Sequence, residues 1–343
     1  MKKKLLKYTL LVLFVYGLTN LITPFNTYLR NRSIINQINY LSTKLNEGYD
    51  DELQNKFPEG KVFSNAILAL SIIEYCDQNL NPDTKYAVIV DKCITRLLSE
   101  KTLSHFNPSV FPEYGIFYNG WTNYVFNKYK NSRLFEFSNI RDKVLLKSEI
   151  IEKRIENTLS DSIRILETYP GLSWPADNFI GLISLESDSI RELWLEMLIN
   201  STEHPSGLVG HYGGTEPTIR GSSGALITFC LAEIDNENIN EYYTRYKEIF
   251  IDDIFGIQLV SENEDKTNEM DFDSGPVLFG YGASATIMNI KTQVTLHDRK
   301  SMNTWAFMNF NALPVNIFNR KYYLFQEEPM FDLFMLWACV EMK

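Results

Sequence analysis

The chain has 343 residues, 45% of them hydrophobic and 22% charged, so it is long and apolar enough to bury a large core and too apolar to be disordered. Its formal net charge is −10, but residues 1–32 carry six Lys or Arg and no acid, which leaves 27 bases against 43 acids and argues against nucleic acid as a partner. The four scattered cysteines, Cys76, Cys93, Cys230 and Cys339, lack the close pairing of a zinc site and read as buried thiols, Cys76 and Cys93 being the one pair that neighbouring helices would bring together.

Lys2, Lys3 and Lys4 precede a run without charge over residues 8–25. These 18 residues reach about 27 Å as a helix, enough for a bilayer core. The basic start places the amino terminus in the cytoplasm. A cleaved signal would end in a small-x-small site, and Thr19-Asn20-Leu21-Ile22-Thr23-Pro24 offers a poor one. The expectation is an uncleaved single-pass anchor over residues 1–32, with residues 33–343 forming one domain outside the cytoplasm. A buried amphipathic helix fits less well, because the run has no polar face.

Beyond residue 32 there is almost no period-two alternation, and the class is all-α. Two kinds of helix take turns. Charged amphipathic stretches cover residues 33–46, 84–100, 143–166, 189–199, 238–250 and 299–310. Stretches apolar nearly all round cover residues 62–76, 118–130, 176–186, 221–233, 277–290 and 330–340. A helix apolar on every side must be buried on every side, and the charged set must cover it from outside. Six of each in alternation predict an (α/α)6 toroid of six helical hairpins. The apolar stretches begin 56, 58, 45, 56 and 53 residues apart, a loose period near the length of one hairpin with its loops.

Each apolar stretch is preceded by a loop of unusual chemistry: residues 57–60, 113–119, 174–178, 211–223, 271–276 and 326–329. If the buried helices run parallel, these loops line one funnel, where aromatic walls and carboxylates supply a site.

The motifs Gly-Ile-Phe-Tyr-Asn-Gly-Trp-Thr-Asn-Tyr, Trp-Pro-Ala-Asp-Asn, Arg-Gly-Ser-Ser and Asp-Phe-Asp-Ser-Gly-Pro, spread over about residues 110–290, resemble a poorly characterised group of bacterial membrane-anchored proteins. The fold of that group is similar to the six-hairpin toroid of many glycoside hydrolases, sugar epimerases and linalool dehydratase/isomerase-type enzymes. The resemblance implies the toroid and assigns no functional residue.

Candidate catalytic residues are Asp177, Asp271, Asp273 and His211. Asp at a helix start is also an ordinary cap, since its carboxylate binds free amides and suits the positive end of the dipole. Three acids in corresponding loops would instead converge and split their pKa values into an acid and a base. Glu59, Glu113, Glu327 and Glu328 follow the same logic, with surface solvation as the plainer account. His211 lies in a glycine-rich stretch able to close over a ligand, and a loop histidine is also often ordinary. Arg220 would bind a carboxylate or phosphate, or form a structural ion pair. Tyr118, Trp121, Trp174 and Tyr281 would stack on a sugar ring or hydrocarbon, or else pack in the core. Asn119, Asn178 and Ser222 add hydrogen-bonding groups. No HExxH, P-loop, GxSxG or histidine cluster is present, so no cofactor or metal is expected.

The expected function is a membrane-anchored extracytoplasmic enzyme, a hydrolase, lyase or isomerase acting on a small-molecule or oligosaccharide substrate through paired carboxylates. An isoprenoid-type lyase, isomerase or cyclase is the alternative, because Asp271-Phe272-Asp273-Ser274 loosely resembles the acid motif of toroidal terpene cyclases while departing from it at Ser274. A non-catalytic surface binding protein is the third reading and needs no converging acids.

Overall fold

The computed structural model describes residues 2–78, 83–212, 218–234, 237, 239–270, 274–310, 320–321 and 329–342. It is mostly helical. In chain order the helices are α1 (Lys2–Ile22), α2 (Thr27–Asn46), α3 (Tyr49–Lys56), α4 (Gly60–Asp77), α5 (Thr84–Leu97), α6 (Glu100–Leu103), α7 (Gly115–Lys130) and α8 (Arg141–Asp161). They continue with α9 (Pro175–Ile183), α10 (Asp188–Thr202), α11 (Gly221–Glu233), α12 (Ile239–Phe250), α13 (Ala283–Thr295), α14 (Lys300–Phe310) and α15 (Pro329–Cys339).

Local chemistry sets several starts. Asn26 caps α2 by accepting from the Leu29 amide at 3.0 Å, Asp83 caps α5 through the Lys85 amide, and Pro175 opens α9 with the φ a helix needs. The two kinds of helix differ as their patterns predict. In α8 the buried positions Val144, Ser148, Ile151, Ile155 and Leu159 form one stripe, whereas α7 and α4 are buried along nearly their whole length.

The buried helices explain one another's burial. α4 packs on α7, α7 on α9, α9 on α11, α11 on α13, α13 on α15, and α15 back on α4. The charged helices α5, α8, α10, α12, α14 and α2 lie against α4, α7, α9, α11, α13 and α15 respectively. At the α7–α9 crossing a Cβ on Gly120 would come within 2.8 Å of the Gly181 amide nitrogen, so only glycine permits that approach.

The six starts gather at one end, the rim. Phe63 of α4 meets Phe117 of α7 at 4.9 Å and Phe334 of α15 at 5.6 Å, and the Glu59 carboxylate before α4 accepts the Tyr169 phenol before α9. Below these rings Trp121, Trp337 and Phe229 continue an aromatic plug, with centroid spacings of 5.9 and 5.1 Å. At the far end the charges return. Lys291 of α13 reaches Glu74 of α4 at 2.7 Å and Glu341 at 2.8 Å, lies over the Trp337 ring, and is itself fully buried. Beside them Lys128 of α7 pairs with Glu233 of α11.

Two short hairpins depart from the expected all-helical pattern. β1 (Ile251–Ile254) and β2 (Ile257–Val260) pair antiparallel with Ile254 opposite Ile257, and β3 (Val277–Leu278) and β4 (Tyr281–Gly282) pair with Leu278 opposite Tyr281. Each turns on a Phe-Gly dipeptide at positive φ, Phe255-Gly256 and Phe279-Gly280, the geometry that matches strand twist. The stretch predicted as helix over residues 277–290 is therefore helical only from Ala283.

The four cysteines are buried and free. Burial pushes the Cys76 and Cys93 thiols up to about 12, which leaves them inert as nucleophiles at neutral pH. One helix among the described residues, Lys3–Phe25, is long and apolar enough to cross a membrane. Its end is tied down. A Cβ on Gly17 would meet the Phe310 ring, Asn309 donates to the Asn20 carbonyl, and Arg30 donates to the Pro24 carbonyl at 2.9 Å.

Candidate functional site

At the rim, three loops place polar side chains within reach of one another. The loop before α11 carries Arg220, whose Nε and Nη2 donate to Oε1 of Glu262 at 3.0 and 2.9 Å. Ser222 Oγ donates to the same oxygen at 2.7 Å. Glu262 is fully buried, and these three donors converge on its Oε1. The chain approaches closely enough for this because residue 221 is glycine: a Cβ there would fall 2.0 Å from the Ser261 carbonyl oxygen.

His211 joins the cluster from the other side. Its Nδ1 lies 2.7 Å from Ser223 Oγ and its Nε2 3.3 Å from Arg220 Nη1. A guanidinium only donates, so Nε2 is the acceptor and Nδ1 carries the proton toward Ser223. In that tautomer the imidazole does not withdraw the Ser223 proton, and a serine nucleophile activated by His211 does not fit.

The second part lies before α9. Asp177 Oδ2 accepts from Thr168 Oγ1 at 2.6 Å, and the next residue, Tyr169, donates to Glu59. Neighbouring residues of one loop thus hold one carboxylate each. Tyr169, Trp174 and Tyr212 make a strip, with both successive centroid spacings at 6.2 Å and near-perpendicular planes. Tyr212 follows His211 in the chain, so the strip links the carboxylates to the Arg220 cluster. All of these side chains except Glu262 and Thr168 are partly or well exposed.

Among the predicted site residues, then, Asp177, His211, Trp174, Arg220 and Ser222 belong to this connected arrangement. Five others are structural in their contacts. Tyr118 is buried against Phe106 with its hydroxyl on the Leu97 carbonyl, and burial pushes its phenol up. Asn119 donates to the Glu113 and Gly115 carbonyls and accepts from Arg154, tying down the start of α7. Trp121 lies in the aromatic plug. Asn178 bridges the amide and carbonyl of Leu166. Tyr281 donates to Asp252 at 2.8 Å, and that carboxylate, which also binds Lys266, holds the phenol above its ordinary value. Asp271 and Asp273 lie outside the described residues, as do Glu327 and Glu328. Glu113 pairs with Arg154 at 2.6 Å on the outer side of α7. There a shallow concavity of about 540 Å³, lined by Phe111, Lys153, Arg154 and Arg164, lacks the rim's aromatic strip and buried carboxylate.

Sequence reasoning missed Glu262, Tyr169 and Tyr212. Glu262 sits in Ser-Glu-Asn-Glu-Asp-Lys, a run that reads as a solvated loop, and nothing local distinguishes it from Glu264 or Asp265. Among the described residues no group of three His, Cys, Asp or Glu could hold a metal ion.

No family model matches the sequence, and no curated protein matches it. Among solved structures the chain is similar to a family 105 glycoside hydrolase from C. acetobutylicum ATCC 824, at 11% identity and a TM-score of 0.51, over 81% of this chain and 93% of that one. That likeness is one of fold.

Proposed function

We propose that the protein is a membrane-anchored enzyme of the (α/α)6 toroid class, acting outside the cytoplasm on a carbohydrate-like substrate by acid/base chemistry at the rim. The observation that carries the reading is the pair Glu59 and Asp177, held on adjacent residues of one loop beside an aromatic strip and a buried ion pair. The closed succession of buried helices, with a charged helix on each, supports the toroid, and so does the fold likeness to a glycoside hydrolase. The apolar α1 supports the anchor.

In this reading Asp177 and Glu59 divide the proton transfers that cleavage or elimination at a sugar carbon requires, one donating to the leaving oxygen and one accepting from the attacking or departing group. Glu262 is committed to Arg220 and Ser222 and acts as their positioning residue. Arg220 presents fixed donors to ligand oxygens, His211 accepts from Arg220 at Nε2 and helps to orient it, and Trp174 offers a face to a sugar ring. The hydrogen-bonding groups of Arg220, His211, Ser222 and Ser223 favour a hydroxylated substrate over an isoprenoid, whose site would be nearly all hydrocarbon.

The test is turnover of a panel of oligosaccharides and aryl glycosides by the full chain in detergent, with Asp177→Asn and Glu59→Gln alongside. Each variant should keep its helical dichroism and lose activity by about 10²-fold or more. Full activity in both variants would sink the assignment.

A further inference from the structure

The direction of α1 decides which end of the protein meets a membrane. Gly17 lies against Phe310, the last residue of α14, yet the segment six residues later, Thr23–Phe25, still packs on α14. A chain that starts at the end of α14 and remains on it must run back toward its beginning. The first four turns of α1 therefore project beyond the carboxyl end of α14. That end is the rim end: α13 starts at the rim and runs away from it, and α14 returns. The contacts of β2 agree, since Gln258 meets Gln293 and Thr304 toward the far end, while the Val260 amide meets Thr286 near the rim.

The exposed apolar side chains at the rim are a second, independent observation. Phe111, Leu172, Tyr212 and the hairpin tip Leu278-Phe279 are exposed in the loops before α7, α9, α11 and α13, with Met270 exposed beside the last. Phe279 is 90% and Phe111 67% exposed. Exposure alone does not pick the end. Phe255 is fully bare at the far end, where Lys300 pairs with Asp253 and a Cβ on Gly256 would meet Asn303. The direction of α1 makes the choice.

We propose that the rim faces the bilayer that α1 enters, with Phe111, Leu172, Leu278 and Phe279 seated in the head-group layer, so that the cluster around Asp177 and Arg220 opens onto the membrane surface. This rests on the reading of α1 as an anchor. The lengths agree. The 21 residues of α1 reach about 31 Å, close to the roughly 30 Å of a hydrocarbon core, and Gly17 lies about 8 Å before its end. With all of α1 in that core, Phe310 against Gly17 lies about 8 Å inside the edge of the apolar layer, which draws the rim beside it down onto the bilayer surface. Aromatic side chains partition into that interface. The acids Glu264, Asp265 and Glu269 near the β3–β4 tip make a zwitterionic leaflet the fitting partner.

The four native cysteines are buried, so single thiols can be labelled selectively. Phe279→Cys, Phe111→Cys and Phe255→Cys, each carrying an environment-sensitive fluorophore, would be placed in the full chain in phosphatidylcholine vesicles, with and without nitroxide-labelled lipid. The expected result is blue-shifted emission and nitroxide quenching at 279 and 111, with neither at 255. Protein retained after carbonate washing but quenched at 255, or at none of the three, overturns the proposal and leaves the anchor standing. Protein stripped by carbonate overturns the anchor and the proposal together.

Discussion

At Arg220 one guanidinium holds Glu262 and reaches His211, and the cost of losing it differs in kind from the cost of neutralising Asp177. Removing it takes two donors from a fully buried carboxylate, a loss that destabilises by about 3 kcal/mol or more. Asp177→Asn, by contrast, should change stability by less than about 1 kcal/mol, because the Asn carbonyl can still accept from Thr168. Urea denaturation of Arg220→Ala, Asp177→Asn and the double variant Arg220→Ala/Glu262→Gln checks both. The double variant should recover part of the loss, and a loss equal to that of Arg220→Ala alone would show the ion pair to be incidental. The loop before α11 was legible as a site because Arg-Gly-Ser-Ser breaks an apolar pattern. Its partner was not, because which acid of an acidic loop turns inward is decided by the β2 register and not by local sequence.

Between elements, the far-end charges join α4 to α13 and α7 to α11, helices that the aromatic plug would otherwise leave as bare apolar ends. Glu74, Lys291 and Glu341 together carry one more negative than positive charge, and low dielectric favours a neutral set. Two carboxylates keep Lys291 protonated, and burial pushes Glu74 up to about 7. The sign follows. A Glu whose folded value lies above its unfolded one stabilises fully below the unfolded value, near 4.5, and loses that contribution as pH rises through 7. Glu74→Gln copies the protonated form, so it should be close to neutral at pH 5 and relatively more stable than the parent above pH 7, by at most about 3 kcal/mol. Thermal midpoints of the two proteins at pH 5 and pH 8 measure this, and parallel pH profiles would refute it. At this scale the sequence spoke plainly about helices, whose apolar starts at residues 62, 118, 176, 221 and 330 lie within three of the observed ones. Tyr118, Asn119 and Trp121 show what such a pattern leaves out, since a helix buried on every side turns even its polar residues to packing.

For the molecule as a whole, the proposed anchor has to hand over to the folded body somewhere between α1 and α2. Composition puts that boundary at residue 32, but α2 starts at Thr27 under an Asn26 cap, and Arg30 is buried with its guanidinium on Pro24. A chain beginning at Asn26 keeps the cap and all of α2, and it lacks the only described helix long and apolar enough to span. It should be soluble, while the full chain remains with membranes after carbonate washing. A chain beginning at residue 33 loses the first turn and a half of α2 with its cap, and should be less stable than the chain from Asn26 by roughly 1 kcal/mol or more. Removing α1 also uncovers Phe310 beside the already exposed Phe307 on α14, so the chain from Asn26 should self-associate more readily than its charge alone predicts. Sedimentation across a concentration series reads this directly. Replacing Phe310 by Ser should suppress the association without changing the midpoint of unfolding by more than about 1 kcal/mol, since the ring is half exposed even with α1 in place.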